Sequence, residues 1–378
     1  MTPSQADRRA VGTAHRVVVK IGSSSLTGPD GRLDVEALRA LVGVLARRRL
    51  EGGQVVLVTS GAVAAGLAPL GLTRRPRDVA TAQAAASVGQ GLLVARYTEA
   101  FGFHGLRVGQ VLLTAEDTVR RARYRNASRA LERLLALGVV PVVNENDVVA
   151  TDELRFGDND RLAALVSHLV HADALVLVTD VDALYDAPPT RPGARRIGVV
   201  RGPADLAGVE IGGRGSAVGT GGMVTKLSSV AIATRSGVPV VLTNAAHVGD
   251  ALAGEPVGTW FLATGRRKPA RLLWLQHAAS TRGRVVLDAG AVRAVVERRT
   301  SLLPAGIVGV EGTFDAGDPI ELVGPDGAVV ARGFAGYGSA EVPDLMGRST
   351  RELREKLGAG YDREVVHRDD LVVVVPRR

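Results

Sequence analysis

Apolar runs that do not alternate are the feature that most restricts what this chain can fold into. VVVKIG (Val17–Gly22), QVVLVTSG (Gln54–Gly61), VGQVLLT (Val108–Thr114), VVPVVNEND (Val139–Asp147), ALVLVTD (Ala174–Asp180) and VPVVLTN (Val238–Asn244) are β-branched or apolar through most of their length. A strand with one wet face alternates, so these runs need a sheet covered on both faces. Helix-length segments separate them, and in the first, Val35, Leu38, Leu41, Val42 and Leu45 recur at helical spacing. This pattern predicts an α/β fold with a mainly parallel sheet sandwiched by helices. In such sheets ligands bind beyond the carboxyl ends of the strands. The polar residues at those ends are Lys20, Thr59 to Gly61, Asn144 to Asp147, and Thr179 with Asp180.

At 378 residues the chain suits two domains. The texture changes near Arg266, after which short strands alternate with turn dipeptides: RVVLD, GIVGVEG, DPIELVGPDG, AVVARGFAGYG and LVVVVP. Helical pieces are expected near Ala289–Glu297 and Ser349–Leu357. The predicted layout is a flexible tail over 1–14, an α/β domain over 15–262, a linker over 263–282 and a small, mostly β domain over 283–378. There is no cysteine, which excludes disulfides, thiolate metal sites and a cysteine nucleophile. No apolar stretch approaches the roughly 20 residues that span a bilayer, so a cytoplasmic protein is expected. The net charge of +8 is dispersed: 18 Lys and Arg against 15 Asp and Glu leave only +3 between Gly265 and Arg378. Arginines such as Arg47–Arg49, at the end of a predicted helix, complement its dipole.

Four clusters could carry chemistry. In VKIGSSSLT (Val19–Thr27) a strand-end lysine, Lys20, adjoins a glycine-serine turn that can approach an anion. In VTSGAVAAG (Val58–Gly66) a strand runs into a small-residue helix, and Ser60 either meets a ligand or caps that helix. The stretch Val142–Leu165 holds two clusters of acids and amides, Asn144 to Asp147 and Asp158 to Asp160, which suit a substrate with an ammonium group. Lastly, VTDVDALY (Val178–Tyr185) combines with GTGGMVTK (Gly219–Lys226), where glycines precede a helix carrying Lys226 and apolar positions Met223, Leu227, Val230 and Ala231. A phosphate there would meet both a helix N-terminus and a cation. This is not a Walker A loop, in which the lysine directly follows a glycine. His168 and His171 lie three apart on a helix but lack a third ligand, so no metal site is predicted.

In order, VKIGSSSLT, VTSGAVAAG, VNENDVVAT, GDND, VTDVDALY and GTGGMVTK resemble the amino acid kinase family over about Arg16 to Phe261. Within it they are most similar to the branch that phosphorylates the side-chain carboxylate of L-glutamate, the first step of proline biosynthesis. The segment containing Ser301–Asp318 resembles the PUA domain that many bacterial members of that branch carry. The resemblance implies that Lys20 and Lys226 contact the ATP phosphates and the transferred phosphoryl group, with Asp160 orienting both lysines. It implies that Ser60, Asp147 and Asn159 hold glutamate, Asp147 facing its ammonium. It places the nucleotide against Lys20, Thr179, Asp180 and the loop Thr220, Gly221, Gly222, Met223, Val224, Thr225 and Lys226. ATP as co-substrate, Mg²⁺, feedback inhibition by proline and a homo-oligomer, dimer or tetramer, follow from the same resemblance. The alternatives are a kinase of this fold acting on acetylglutamate, aspartate or UMP, and an RNA-binding PUA protein; RNA is not favoured, because the motifs lie in the first domain.

Overall fold

The computed structural model describes residues 8, 11–28, 33–114, 117, 121–149, 159–210, 222–265, 272, 275, 281–358, 361 and 363–374. The chain divides into two compact units, Met1–Ala270 and Arg271–Arg378.

The first unit begins β1 (Arg16–Ile21), α1 (Val35–Leu50), β2 (Gln54–Val58), α2 (Ala62–Leu67), α3 (Val79–Gly102), β3 (Val108–Leu113), α4 (Arg121–Ala136) and β4 (Val140–Glu145). It continues α5 (Asn159–Leu169), β5 (Ala174–Thr179), the short strands β6 (Leu184–Tyr185), β7 (Arg196–Ile197) and β8 (Val199–Val200), α6 (Met223–Arg235), β9 (Val240–Asn244), α7 (Val248–Ala253) and β10 (Thr259–Phe261). Among the described residues, eight strands form one sheet in the order β3-β4-β2-β1-β5-β9-β10-β8. The run from β3 to β9 is parallel, and β10 is antiparallel to β9. Val17, Val18 and Val19 are all fully buried although neighbours point to opposite faces. Both faces of β1 are therefore covered, and each such valine contributes about 1.5–3 kcal/mol.

The helices start where the sequence supplies caps. Asp34 accepts from Ala37 N–H (2.9 Å) ahead of α1, and Asp78 from Thr81 N–H (2.8 Å) ahead of α3. Helices α2 and α3 approach closely through glycine. A Cβ on Gly89 would lie 1.8 Å from Ala62 O, and one on Gly66 would lie 1.9 Å from Ala85 O. That approach lets α3 lay Gln90, Leu93 and Tyr97, spaced as one helical face, into the core.

The N-terminal segment differs from the expected flexible tail. Val11 and Ala14 are buried, and Arg8 donates to Gly198 O (2.9 Å). Arg48 donates to the carbonyls of Val11 (3.2 Å), Gly12 (2.6 Å) and Ala14 (2.5 Å). The middle arginine of Arg47–Arg49 thus satisfies the backbone of this segment, which composition alone does not reveal.

The second unit comprises β11 (Gly283–Leu287), α8 (Ala289–Val296), β12 (Ile307–Gly312), β13 (Pro319–Val323), β14 (Val329–Phe334), α9 (Val342–Leu345), α10 (Thr350–Leu357) and β15 (Leu371–Val373). Its sheet runs β12-β11-β13-β14-β15, with only β11 and β13 parallel. Ser349 and Glu352 form a reciprocal capping box at the start of α10. Among the described residues no helix is long and apolar enough to cross a membrane.

The packing of α2 on α3 gives a test. Gly89→Ala should destabilise the fold by about 3 kcal/mol through overpacking against Ala62. Gly91→Ala, two residues on with open space around it, should stabilise it by roughly 0.5–1 kcal/mol. Urea midpoints of the two variants, moving in opposite directions, would bear this out.

Candidate active site

Strands β1, β2, β4 and β5 are parallel neighbours, so their carboxyl ends fall on one edge of the sheet. Lys20, the penultimate residue of β1, pairs with Val58 of β2 on one side and Leu177 of β5 on the other. A lysine flanked by two strands cannot reach solvent easily, and its relative exposure is 2%. It is a buried cation, not a snorkelling strand-end residue. Its partner is Asp160, fully buried in the first turn of α5, with Oδ1 2.6 Å from Lys20 Nζ.

Lys226 reaches the same carboxylate from α6. Its Nζ donates to Asp160 Oδ2 (2.7 Å), so the two oxygens of one aspartate receive two ammonium groups. A cation in the first turns of a helix opposes the helix dipole, and the carboxylate compensates for it. Burial alone would raise the Asp160 carboxyl, but the charges and hydrogen bonds of Lys20 and Lys226 outweigh it and hold the group down at about 2. The trio, two cations and one anion, keeps a net charge of +1.

Asn159, the residue before this aspartate, holds the second half of the site. Its Nδ2 group lies within hydrogen-bond distance of Thr59 O (2.9 Å), Ser60 Oγ (3.0 Å) and Asn144 Oδ1 (2.9 Å), three acceptors that share its two hydrogens. Asn144 Nδ2 in turn donates to Gln90 Oε1 (2.7 Å). Ser60 is not the helix cap. That position belongs to Gly61, whose φ of 102° is left-handed and favours glycine. Beside it, Thr59 Oγ1 shares a hydrogen bond of 2.9 Å with the Tyr97 hydroxyl. Tyr97 is fully buried, and burial pushes its ionisation up, so it remains a neutral phenol.

The sequence-predicted residues thus fall into three groups. Lys20, Asp160 and Lys226 are in direct contact, and Ser60 touches Asn159, the neighbour of Asp160. Thr179 ends β5 beside β1 and donates to Asp180 Oδ1 (2.8 Å), while Asp147 sits in the turn after β4. Gly222 is the N-cap of α6 and Met223 its first residue; Val224 and Thr225 are exposed, and Thr225 Oγ1 donates to Gly222 O (2.8 Å). Thr220, Gly221 and Asp158 lie outside the described residues. The buried face of α6 also differs from the expected stripe. Val230 is buried, but Met223, Leu227 and Ala231 are only half-buried, and Ser229, Ile232 and Ala233 fill the interior instead. Helix α6 packs on α5, and its buried set includes polar Ser229 and Thr234, which an apolar pattern does not register. Gln90, Tyr97 and the specific part played by Asn144 were not read from the sequence. The available signal was a pair of amides, Gln83 and Gln90, seven residues apart in a helix otherwise rich in small residues.

A model described as the amino acid kinase family matches residues 15–244, across all of these motifs. The chain belongs to the amino acid kinase family. A PUA domain model matches residues 283–357. Full-length family relatives resemble it throughout. The glutamate 5-kinase of Streptomyces coelicolor is 65% identical over 370 residues, covering 98% of this chain and 99% of its own. That of Thermobifida fusca is 62% identical, covering 97% and 95%, and that of Bifidobacterium longum 56%, covering 99% and 100%. Among solved structures, carbamate kinase from Giardia lamblia bound to AMP-PNP aligns with a TM-score of 0.51 at 15% identity, over 66% of this chain and 99% of that one. That likeness concerns the amino acid kinase fold alone.

The depressed ionisation of Asp160 has a sign that can be checked. A carboxyl held at about 2, against an ordinary 3.8, contributes stability above pH 4 that is lost as pH falls from about 4 to about 2. The difference in melting temperature between the wild type and Asp160→Asn should therefore shrink over that interval. A difference independent of pH would mean that the carboxylate is not held ionised.

Proposed function

We propose that this chain transfers the γ-phosphoryl group of ATP to the side-chain carboxylate of L-glutamate, forming L-glutamyl 5-phosphate at the first step of proline biosynthesis. What carries the reading is that chains 56–65% identical over nearly their whole length are glutamate 5-kinases. The site supplies what this reaction requires. A glutamate side chain ionises near ~4.3, so the nucleophile is already an anion at neutral pH and no general base is needed. The obstacle is electrostatic, because an anion must attack a polyanion. The buried net positive charge of Lys20, Asp160 and Lys226 lowers that barrier in surroundings where charge is weakly screened.

In this reading Lys20 and Lys226 contact the phosphates and the group in flight, and Asp160 fixes both ammonium groups. Ser60, Asp147 and Asn159 hold glutamate, Asp147 facing its ammonium. Thr179, Asp180 and the segment Thr220–Lys226 take the nucleotide. Among the described residues no group of three His, Asp or Glu side chains could cage a cation, and both oxygens of Asp160 face lysines. Mg²⁺ binds phosphate oxygens and keeps several waters. We assign it to the ATP, and no step is routed through protein ligands. The proposal extends to a cytoplasmic homo-oligomer with feedback by proline at or near the glutamate site. RNA binding by the second unit is the minor reading, since its 15 Lys and Arg are balanced by 15 Asp and Glu.

Trapping the acyl phosphate with hydroxylamine tests this directly. With ATP and Mg²⁺, hydroxamate should form from L-glutamate and not from N-acetylglutamate or aspartate, and UMP should not be phosphorylated. Turnover of UMP without glutamate would overturn the assignment. Lys226→Ala should lower kcat by about 10²–10³-fold in a folded protein, and unchanged turnover would remove this lysine from the mechanism.

A further inference from the structure

The amides of the site form a chain with a direction. Thr59 O is a carbonyl and can only accept, so the group of Asn159 that faces it at 2.9 Å must be Nδ2. Asn144 agrees with that orientation, offering Oδ1 to Asn159 Nδ2 and turning its own Nδ2 toward Gln90 Oε1. Each amide thus gives its N–H to the next, ending on Gln90. The opposite end is Asn159 Oδ1, which is buried and has no hydrogen-bond partner among the described residues. A buried acceptor left without a donor is costly, so it demands one from whatever fills the site.

We propose that Gln90 is a positioning residue for acceptor recognition: by holding Asn144, it fixes the amide of Asn159 so that its buried Oδ1 is left as a hydrogen-bond acceptor for the ammonium group of the substrate. This rests on the glutamate reading above. At neutral pH the two carboxylates of glutamate only accept, and its ammonium is its only donor. An amide turned the other way would present N–H groups to an ammonium and repel it. Gln90 is suited to this part because it lies on the buried face of α3, which glycine contacts hold tightly against α2. It need not touch the substrate.

Glutarate, which is glutamate without its ammonium, provides the test. The wild type should prefer glutamate to glutarate in kcat/KM, measured as hydroxamate. In Gln90→Met, of similar length but with only a weak thioether acceptor, the KM for glutamate should rise about tenfold and the preference over glutarate should fall by a similar factor, as for one lost charge-assisted hydrogen bond. The KM for ATP should stay within about twofold, since the lysines are untouched. Gln90→Glu retains an oxygen for Asn144 Nδ2 and should restore the preference, which also serves if the methionine variant fails to fold. A preference unchanged in Gln90→Met, equal losses with both acceptors, or a collapse in Gln90→Glu would overturn the inference. A wild type that turns over neither acid would instead refute the glutamate reading on which it rests.

Discussion

Three elements distant in sequence meet at the carboxylate of Asp160, and the rest of the site is arranged around it. Lys20 comes from the centre of the sheet, Lys226 from α6, and the aspartate from the start of α5. None of these charges could be buried alone, because an isolated ion in the interior costs several kcal/mol after relaxation. Together they are mutually compensated, and the helix dipole of α5 favours the anion at its N-terminus. Removing one member of such a buried set typically costs about 3–5 kcal/mol. The same interaction that makes two buried cations tolerable therefore ties α6 to β1 through α5. In the proposed reaction, function and local stability share one carboxylate.

The neighbouring residue extends this logic from charge to polarity. Asn159 and Asp160 leave the same helical turn, one facing amides and hydroxyls, the other facing lysines. The network around Asn159 carries no charge of its own. Its members are neutral for physical reasons: Asn144 and Gln90 are amides, and burial keeps the Tyr97 phenol protonated. The positive side and the neutral side are thereby separated within a single turn of α5.

How much of this the sequence revealed depended on whether a signal was local. The parallel sheet was legible because β1, β4 and β5 are apolar at successive positions. Lys20 and Ser60 were legible because strand ends in such sheets collect ligands, and Asn159 because it sits in a cluster of acids and amides that opens a helix. The contact of Asp160 with both lysines was expected through family resemblance, as no spacing along the chain encodes it. Gln90 escaped notice because an amide in a helix of small residues, like Gln83 one heptad earlier, looks like a surface position until the glycine-mediated approach of α2 and α3 is known. Arg48 escaped for the converse reason: a run of three arginines at a helix end has a sufficient local explanation, and its bonds to the N-terminal segment are non-local. Likewise the inward face of α6, with Ser229, Ile232 and Ala233 in place of Met223 and Leu227, is set by tertiary packing that no apolar stripe encodes.

In the proposed phosphate site, the placement of Lys226 differs from that of a Walker loop lysine. In that loop the lysine follows a glycine, and the loop backbone governs where its charge goes. Here the lysine is the fourth residue of α6, its own N–H already bonded to Gly222 O (3.3 Å), and its ammonium is located by Asp160. The position of the cation is accordingly decided by the buried core of the unit. A phosphoryl group carries most of its charge in equatorial oxygens throughout transfer, so the cations that stabilise it should not move as the reaction proceeds. Anchoring both ammonium groups to one buried carboxylate meets that requirement before any substrate arrives, which is what electrostatic preorganisation means in physical terms.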